Sequence, residues 1–108
     1  MSGSTSARKG ANGERELVAV LREHGFDVER GGSLTFGQVP DVAGLPNIHI
    51  EVKRVEKLNV LAAYQQAERD AEKFHDGAPA LFHRRNRSPW LVTMSLADWL
   101  KMYKPDTS

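Results

Sequence analysis

The chain has 108 residues, no cysteine and a formal net charge of +1. That length allows one domain with a modest core, and the lack of cysteine excludes disulfides and thiolate metal sites. No apolar run approaches the ~20 residues that span a bilayer and the N-terminus lacks the apolar core of a signal peptide, so a soluble cytoplasmic protein is expected, with any nucleic-acid contact carried by local charge rather than the total.

Residues 1–7 are small and polar and are expected to form a flexible tail, and residues 8–104 a single domain. From Arg8 to His24 the pattern is helical, with Glu14, Leu17, Val18 and Leu21 on one face and Gly25 placed to end it. Phe26 to Arg30 alternates as a short strand, Gly31-Gly32-Ser33 breaks it, and Leu34 to Gln38 is loop or strand extension. Val39–Ala43 and Ile48–Arg54 read as a hairpin around the turn Gly44-Leu45-Pro46-Asn47. Asn59 caps a helix running to about Phe74, with Val60, Tyr64, Ala67, Ala71 and Phe74 as its apolar stripe. Ala80–His83 and Trp90–Met94 are strands joined by Arg84-Arg85-Asn86-Arg87-Ser88-Pro89, and Ser95 with Asp98 caps a last helix carrying Leu96, Trp99, Leu100 and Tyr103. The order is α-β-β-β-α-β-β-α, an α/β domain without internal repeats.

The chemistry concentrates in the hairpin. Ile48-His49-Ile50-Glu51-Val52-Lys53 alternates apolar and polar residues although Glu and Lys are poor strand formers. Period-2 alternation puts Ile48, Ile50 and Val52 on one face and His49, Glu51 and Lys53 on the other. The turn then returns Asp41 to the side of Glu51 and Lys53. Two carboxylates and an ammonium on one patch are costly unless a divalent cation or a phosphate belongs there. Hydrolysis of a phosphodiester needs such a cation, and a hard ion takes oxygen ligands. Asp41 and Glu51, with the Val52 carbonyl, are the expected ligands of Mg²⁺ or Mn²⁺, and Lys53 is placed to hold the attacking water or a phosphate oxygen. The plain alternative is a solvated strand face with Asp41 as a turn residue.

The Pro40-Asp41 pair followed by Glu51-Val52-Lys53 resembles the PD-(D/E)xK nuclease superfamily. Lys9-Gly10-Ala11, Glu14-Arg15-Glu16-Leu17-Val18, His24-Gly25-Phe26-Asp27-Val28 and Arg30-Gly31-Gly32-Ser33 are similar to the opening of archaeal-type Holliday junction resolvases. Asp41-Val42-Ala43-Gly44 and Ile50-Glu51-Val52-Lys53 continue in register. Residues after Lys53, with Arg54, Glu56, Asn59, Gln66 and Asp70 around the second helix, look like small phage-encoded relatives. The resemblance implies a restriction-endonuclease-like core, with a mixed central sheet flanked by helices. It also implies metal-dependent cleavage of four-way DNA junctions by a homodimer in a prokaryotic or phage-infected cell. On the same resemblance Glu14 is a third carboxylate reaching the metal or its waters, against the simpler reading of a glutamate favoured near a helix N-terminus. The family's matching serine makes Ser33 the expected donor to the scissile phosphate, with a plain Gly-Gly-Ser turn as the alternative. Gln66, on the helix after the catalytic strand, is expected to orient a phosphate or water, with an ordinary exposed helical glutamine as the alternative. Another repair or restriction-type nuclease, or a DNA-binding module with an unused site, are the alternatives.

Positive charge clusters at Arg8-Lys9, at Arg54 with Lys57, and at Arg84-Arg85-Arg87. With Arg30, these are the expected DNA-backbone contacts, which position without reading sequence. The histidines lack metal-ligand spacing; His24 and His75 are expected at helix ends, and His49 at the border of the site.

Overall fold

The computed structural model describes residues 2–31 and 39–104, with side chains from Gly10 onward. Helix α1 (Ser2–Glu23) opens at Ser2 rather than near Arg8. It closes as Gly25 turns to φ 92° and the Phe26 amide donates to the Leu21 carbonyl at 3.1 Å, the left-handed exit that glycine permits. Strands β1 (Glu29–Arg30) and β2 (Val42–Ala43) are shorter than expected. Strand β3 (Ile48–Arg54) has the bounds that alternation predicts. Helix α2 (Val60–Phe74) is capped by the Asn59 side chain, which accepts from the Ala62 amide at 3.0 Å. It ends at His75, itself left-handed, ahead of Gly77. Strands β4 (Ala78–Arg84) and β5 (Leu91–Thr93) precede helix α3 (Leu96–Tyr103), capped by Ser95 as expected.

The five strands form one mixed sheet in the order β1-β2-β3-β4-β5. All neighbours are antiparallel except β3 and β4, which run parallel from Ile48 opposite Ala78 to Arg54 opposite Arg84. A parallel pair needs a crossover, and α2 supplies it. Both faces of the sheet centre are covered. On one, Val42, Ile50, Val52, Ala80 and Phe82 pack with Leu17 and Val18 of α1. On the other, β3 and β4 present His49, Glu51 and Leu81 towards α2, whose buried positions are Ala63, Ala67 and Ala71. The small alanine side chains bring the helix close to the sheet.

Two glycines set the spacing around β3. A Cβ on Gly13 would lie 2.5 Å from the Arg54 Cβ, so glycine lets α1 cross the end of β3. Gly77 has φ 134°, and a Cβ there would run into the backbone of Asn47 and Ile48. The Ala78 amide donates to the Asn47 carbonyl at 2.9 Å beside it.

Candidate active site

β3 carries His49 and Glu51 two residues apart, which places both side chains on the α2 face. Val42 pairs with Ile50, so Asp41, one step before Val42, comes opposite Glu51. Asp70 reaches the same place from α2. These groups line a cavity of about 60 Å³, together with Lys73 and Phe74. Ligand atoms of His49, Glu51 and Asp70 lie within 4.8 Å of one another. The His49 ring is 1% exposed, and its Nε2 lies 3.1 Å from the Glu51 carboxylate. Its Nδ1 lies 2.9 and 3.0 Å from the two oxygens of Asp76, just past the end of α2. Phe74 stacks on the same ring with centroids 6.2 Å apart.

Burial raises the Glu51 carboxyl above its ordinary range; His49 opposes this, while Asp70 and Asp41 reinforce it. Burial likewise raises Asp41, with Lys53 opposing and Asp70 adding. For His49 burial disfavours the charged ring, but the bonds to Glu51 and Asp76 outweigh it and the ring is held above its usual value. Asp70 thus raises the proton affinity of both Glu51 and Asp41, and a cluster of carboxylates of this kind marks a place where positive charge is wanted.

The sequence profile of the archaeal Holliday junction resolvase (Hjc) family matches residues 5–104. The chain belongs to this family. No individual curated protein matches it. The Hjc family is of the PD-(D/E)xK nuclease type, and the five-stranded mixed sheet flanked by helices is the restriction-endonuclease-like architecture expected of it. The donor set of the cavity, carboxylate oxygens and one imidazole nitrogen, suits a divalent cation. Among the described residues no helix is long and apolar enough to cross a membrane.

The other residues expected at the Hjc site are dispersed more than the sequence suggests. Glu14 is largely buried and pairs with Arg30 of β1 at 3.0 Å. Burial raises its carboxyl, Arg30 opposes, and Asp41 adds to it, so Glu14 senses the site while standing outside the set His49, Glu51 and Asp70; the expected ligand Asp41 lines the cavity but also stands outside that set. Arg30 is accordingly engaged by a carboxylate. Lys53 is half-buried beside His83 in the β3–β4 register and acts electrostatically on Asp41. Gln66 lies one turn before Asp70 on α2 and is half-buried; the α2 residue that enters the cluster is Asp70.

The basic residues also divide. Arg54 bonds Glu16 at 3.3 Å and Asn86 at 2.9 Å. Arg84 is the last residue of β4 rather than part of a hairpin tip, and it bonds Glu16 and, at 2.6 Å, the Ser88 carbonyl. The sequence pattern misplaces it because the parallel pairing with β3 runs on to Arg54, one step past Lys53. Arg85 and Arg87 are exposed in the turn that follows. Ser33 and the side chains of Arg8 and Lys9 lie outside the described residues. Asp70 and Asp76 are the members of the site whose roles sequence reasoning missed. Asp70 has helical spacing like any exposed aspartate, and Asp76 follows a helix end with no local signal.

Proposed function

We propose that the chain is a divalent-metal-dependent endonuclease that cuts four-way DNA junctions as a homodimer, with Mg²⁺ or Mn²⁺ as its cofactor. The observation that carries this reading is one small cavity lined by Asp41, Glu51, Asp70 and His49, the last three with ligand atoms within 4.8 Å of one another, in a chain of the Hjc family. A bound cation supplies Lewis acidity and a water of lowered pKa. Glu51 and Asp41, with the Val52 carbonyl, hold that cation. Lys53 sets an ammonium against the negative charge of the scissile phosphate and orients the attacking water. Glu14, fixed by Arg30, holds outer water on the α1 side. Gln66 and Ser33 contact the phosphate, and Arg85 and Arg87 contact the DNA backbone at a distance from the cut.

A junction needs two symmetric cuts, and a closed two-fold dimer presents two equivalent sites. The surface that supports a second copy is the outer edge of the sheet. β5 ends the sheet with Leu91 and Val92 exposed, and Leu96, Trp99, Leu100 and Tyr103 of α3, the element that follows it in the chain, are exposed too. Exposed apolar side chains in this number support an interaction surface, and the symmetry requirement favours another copy of the chain as its occupant.

The deciding experiment is cleavage of a synthetic four-way junction with Mg²⁺, alongside a chelator control and Glu51→Gln. The expected result is paired nicks that need the ion and vanish in the variant, while junction binding persists. Equal affinity for linear duplex of the same length would favour a general nuclease of the superfamily. Near-normal cleavage by Glu51→Gln would remove the site assignment.

A further inference from the structure

The PD-(D/E)xK motif accounts for Glu51 and Lys53 but not for the residue two before the glutamate. In this chain that residue is His49, and its surroundings are built. The ring is 1% exposed, Phe74 stacks on it at an interplanar angle of 16°, and both oxygens of Asp76 face Nδ1 at 2.9 and 3.0 Å. A carboxylate can only accept here, so Nδ1 carries the hydrogen and donates it. The ring is thereby fixed with Nε2 turned inward, 3.1 Å from the Glu51 carboxylate and within 4.8 Å of an Asp70 oxygen. Without a cation Nε2 gives a hydrogen to Glu51; a cation entering between them takes the place of that proton, because a ligating imidazole nitrogen carries none. Two ligands at right angles, each about 2.1 Å from one ion, stand about 3 Å apart, which is the separation found.

We propose that His49 is a nitrogen ligand of the metal centre, locked in its ligating orientation by Asp76. This rests on the nuclease reading above and adds a donor to it. A metal-bound histidine that gives its second N–H to a carboxylate is a recurrent arrangement, and loss of that carboxylate lowers metal affinity about 10–100-fold. One imidazole among carboxylates disfavours Mg²⁺, a hard ion of oxygen ligands, relative to first-row transition ions. Asp76 is therefore a positioning residue, acting through His49 and not by contact with DNA.

The test uses the full chain loaded with one equivalent of Mn²⁺ and read by pulsed electron paramagnetic resonance. The expected spectrum shows coupling to an imidazole nitrogen, which disappears in His49→Asn. Calorimetry on the same proteins should show wild type favouring Mn²⁺ over Mg²⁺ and His49→Asn losing that preference. Asp76→Asn should keep the nitrogen coupling but bind Mn²⁺ about 10–100-fold more weakly; unchanged affinity would remove the role of Asp76. If Mn²⁺ binds wild type, is lost in Glu51→Gln and shows no nitrogen coupling, the centre is all-oxygen. The proposal then falls while the nuclease reading stands. If Mn²⁺ binding ignores Glu51→Gln, both fall together. The wild-type spectrum alone decides the ligand, so a variant that folds poorly does not blunt the test.

Discussion

Glu51 sits at 4% exposure with a histidine on one side and two aspartates acting on it electrostatically. Replacing it with Gln keeps the volume and removes the charge that the cavity is arranged around. Cleavage should fall about 1000-fold, equivalent to about 4 kcal/mol in the barrier, with junction affinity within a few-fold of wild type by gel shift. Asp41→Asn should behave alike. Retained cleavage in either would mean that the ion is held elsewhere. At this scale the sequence was legible where residue type conflicted with local structure. Glu and Lys in an alternating strand signalled Glu51 and Lys53, and Pro-Asp at the facing strand signalled Asp41. Asp70 and Asp76 gave no such conflict, because an aspartate on a helix or after its end is unremarkable. Only the fold brings them to β3.

At the level of elements, α1 is fastened to the far end of the sheet by Glu16, which takes Arg84 and Arg54 together. Burial works against ionisation of Glu16, but the two guanidinium groups prevail and its carboxyl is held below the ordinary 4.5. A carboxyl lowered on folding stabilises the native state fully above its unfolded value, and that contribution fades as pH falls through the folded one. Urea midpoints of the wild type should therefore drop below about pH 4.5 more steeply than those of Glu16→Gln. Parallel pH profiles would show that the pairs contribute nothing measurable. Gly13 tests the same packing from the backbone. Alanine would gain about 1 kcal/mol in helix propensity, yet its Cβ would press on Arg54. A net loss of about 1–2 kcal/mol is expected from overpacking, and a more stable Gly13→Ala would show that α1 can shift freely. β3, α2 and α3 were legible because alternation, the Asn59 cap and the Ser95 cap are local signals. The shortness of β1 and β2 was not, since sheet pairing rather than strand propensity sets those bounds.

For the whole molecule, a net charge of +1 leaves DNA affinity to the placement of a few cations. Arg54 and Arg84 hold Glu16, so the exposed pair Arg85 and Arg87 is the better test of grip. Changing both to Ala should reduce the log–log salt slope of junction binding by about 0.9 for each phosphate that is no longer neutralised, with the urea midpoint unaltered. An unchanged slope would place the DNA on another surface. Assembly is probed along β5 and α3. Leu96 and Tyr103 are 69% and 74% exposed, and Trp99 stacks on Tyr103 at 4.8 Å without being buried. Trp99→Glu with Leu100→Glu should convert a dimer to a monomer in sedimentation equilibrium and uncouple the two nicks. A wild-type monomer at micromolar concentration would exclude this interface. Composition gave no hint of such a surface, because its apolar residues look in sequence like an ordinary amphipathic helix and a half-buried strand.

The turn that ends α2 joins two regions with nothing obvious in common. Asp76 faces the imidazole, and its chain neighbour Gly77 is wedged against the Asn47–Ile48 backbone that launches β3. One peptide unit thus ties the direction of a carboxylate to the seating of a distant loop. A methyl group at Gly77 would press on the Asn47 and Ile48 backbone at a φ of 134°. Gly77→Ala should therefore lower the urea midpoint and, through the same peptide, loosen Asp76 from the ring, so that the His49–Asp76 contact is lost in step with stability.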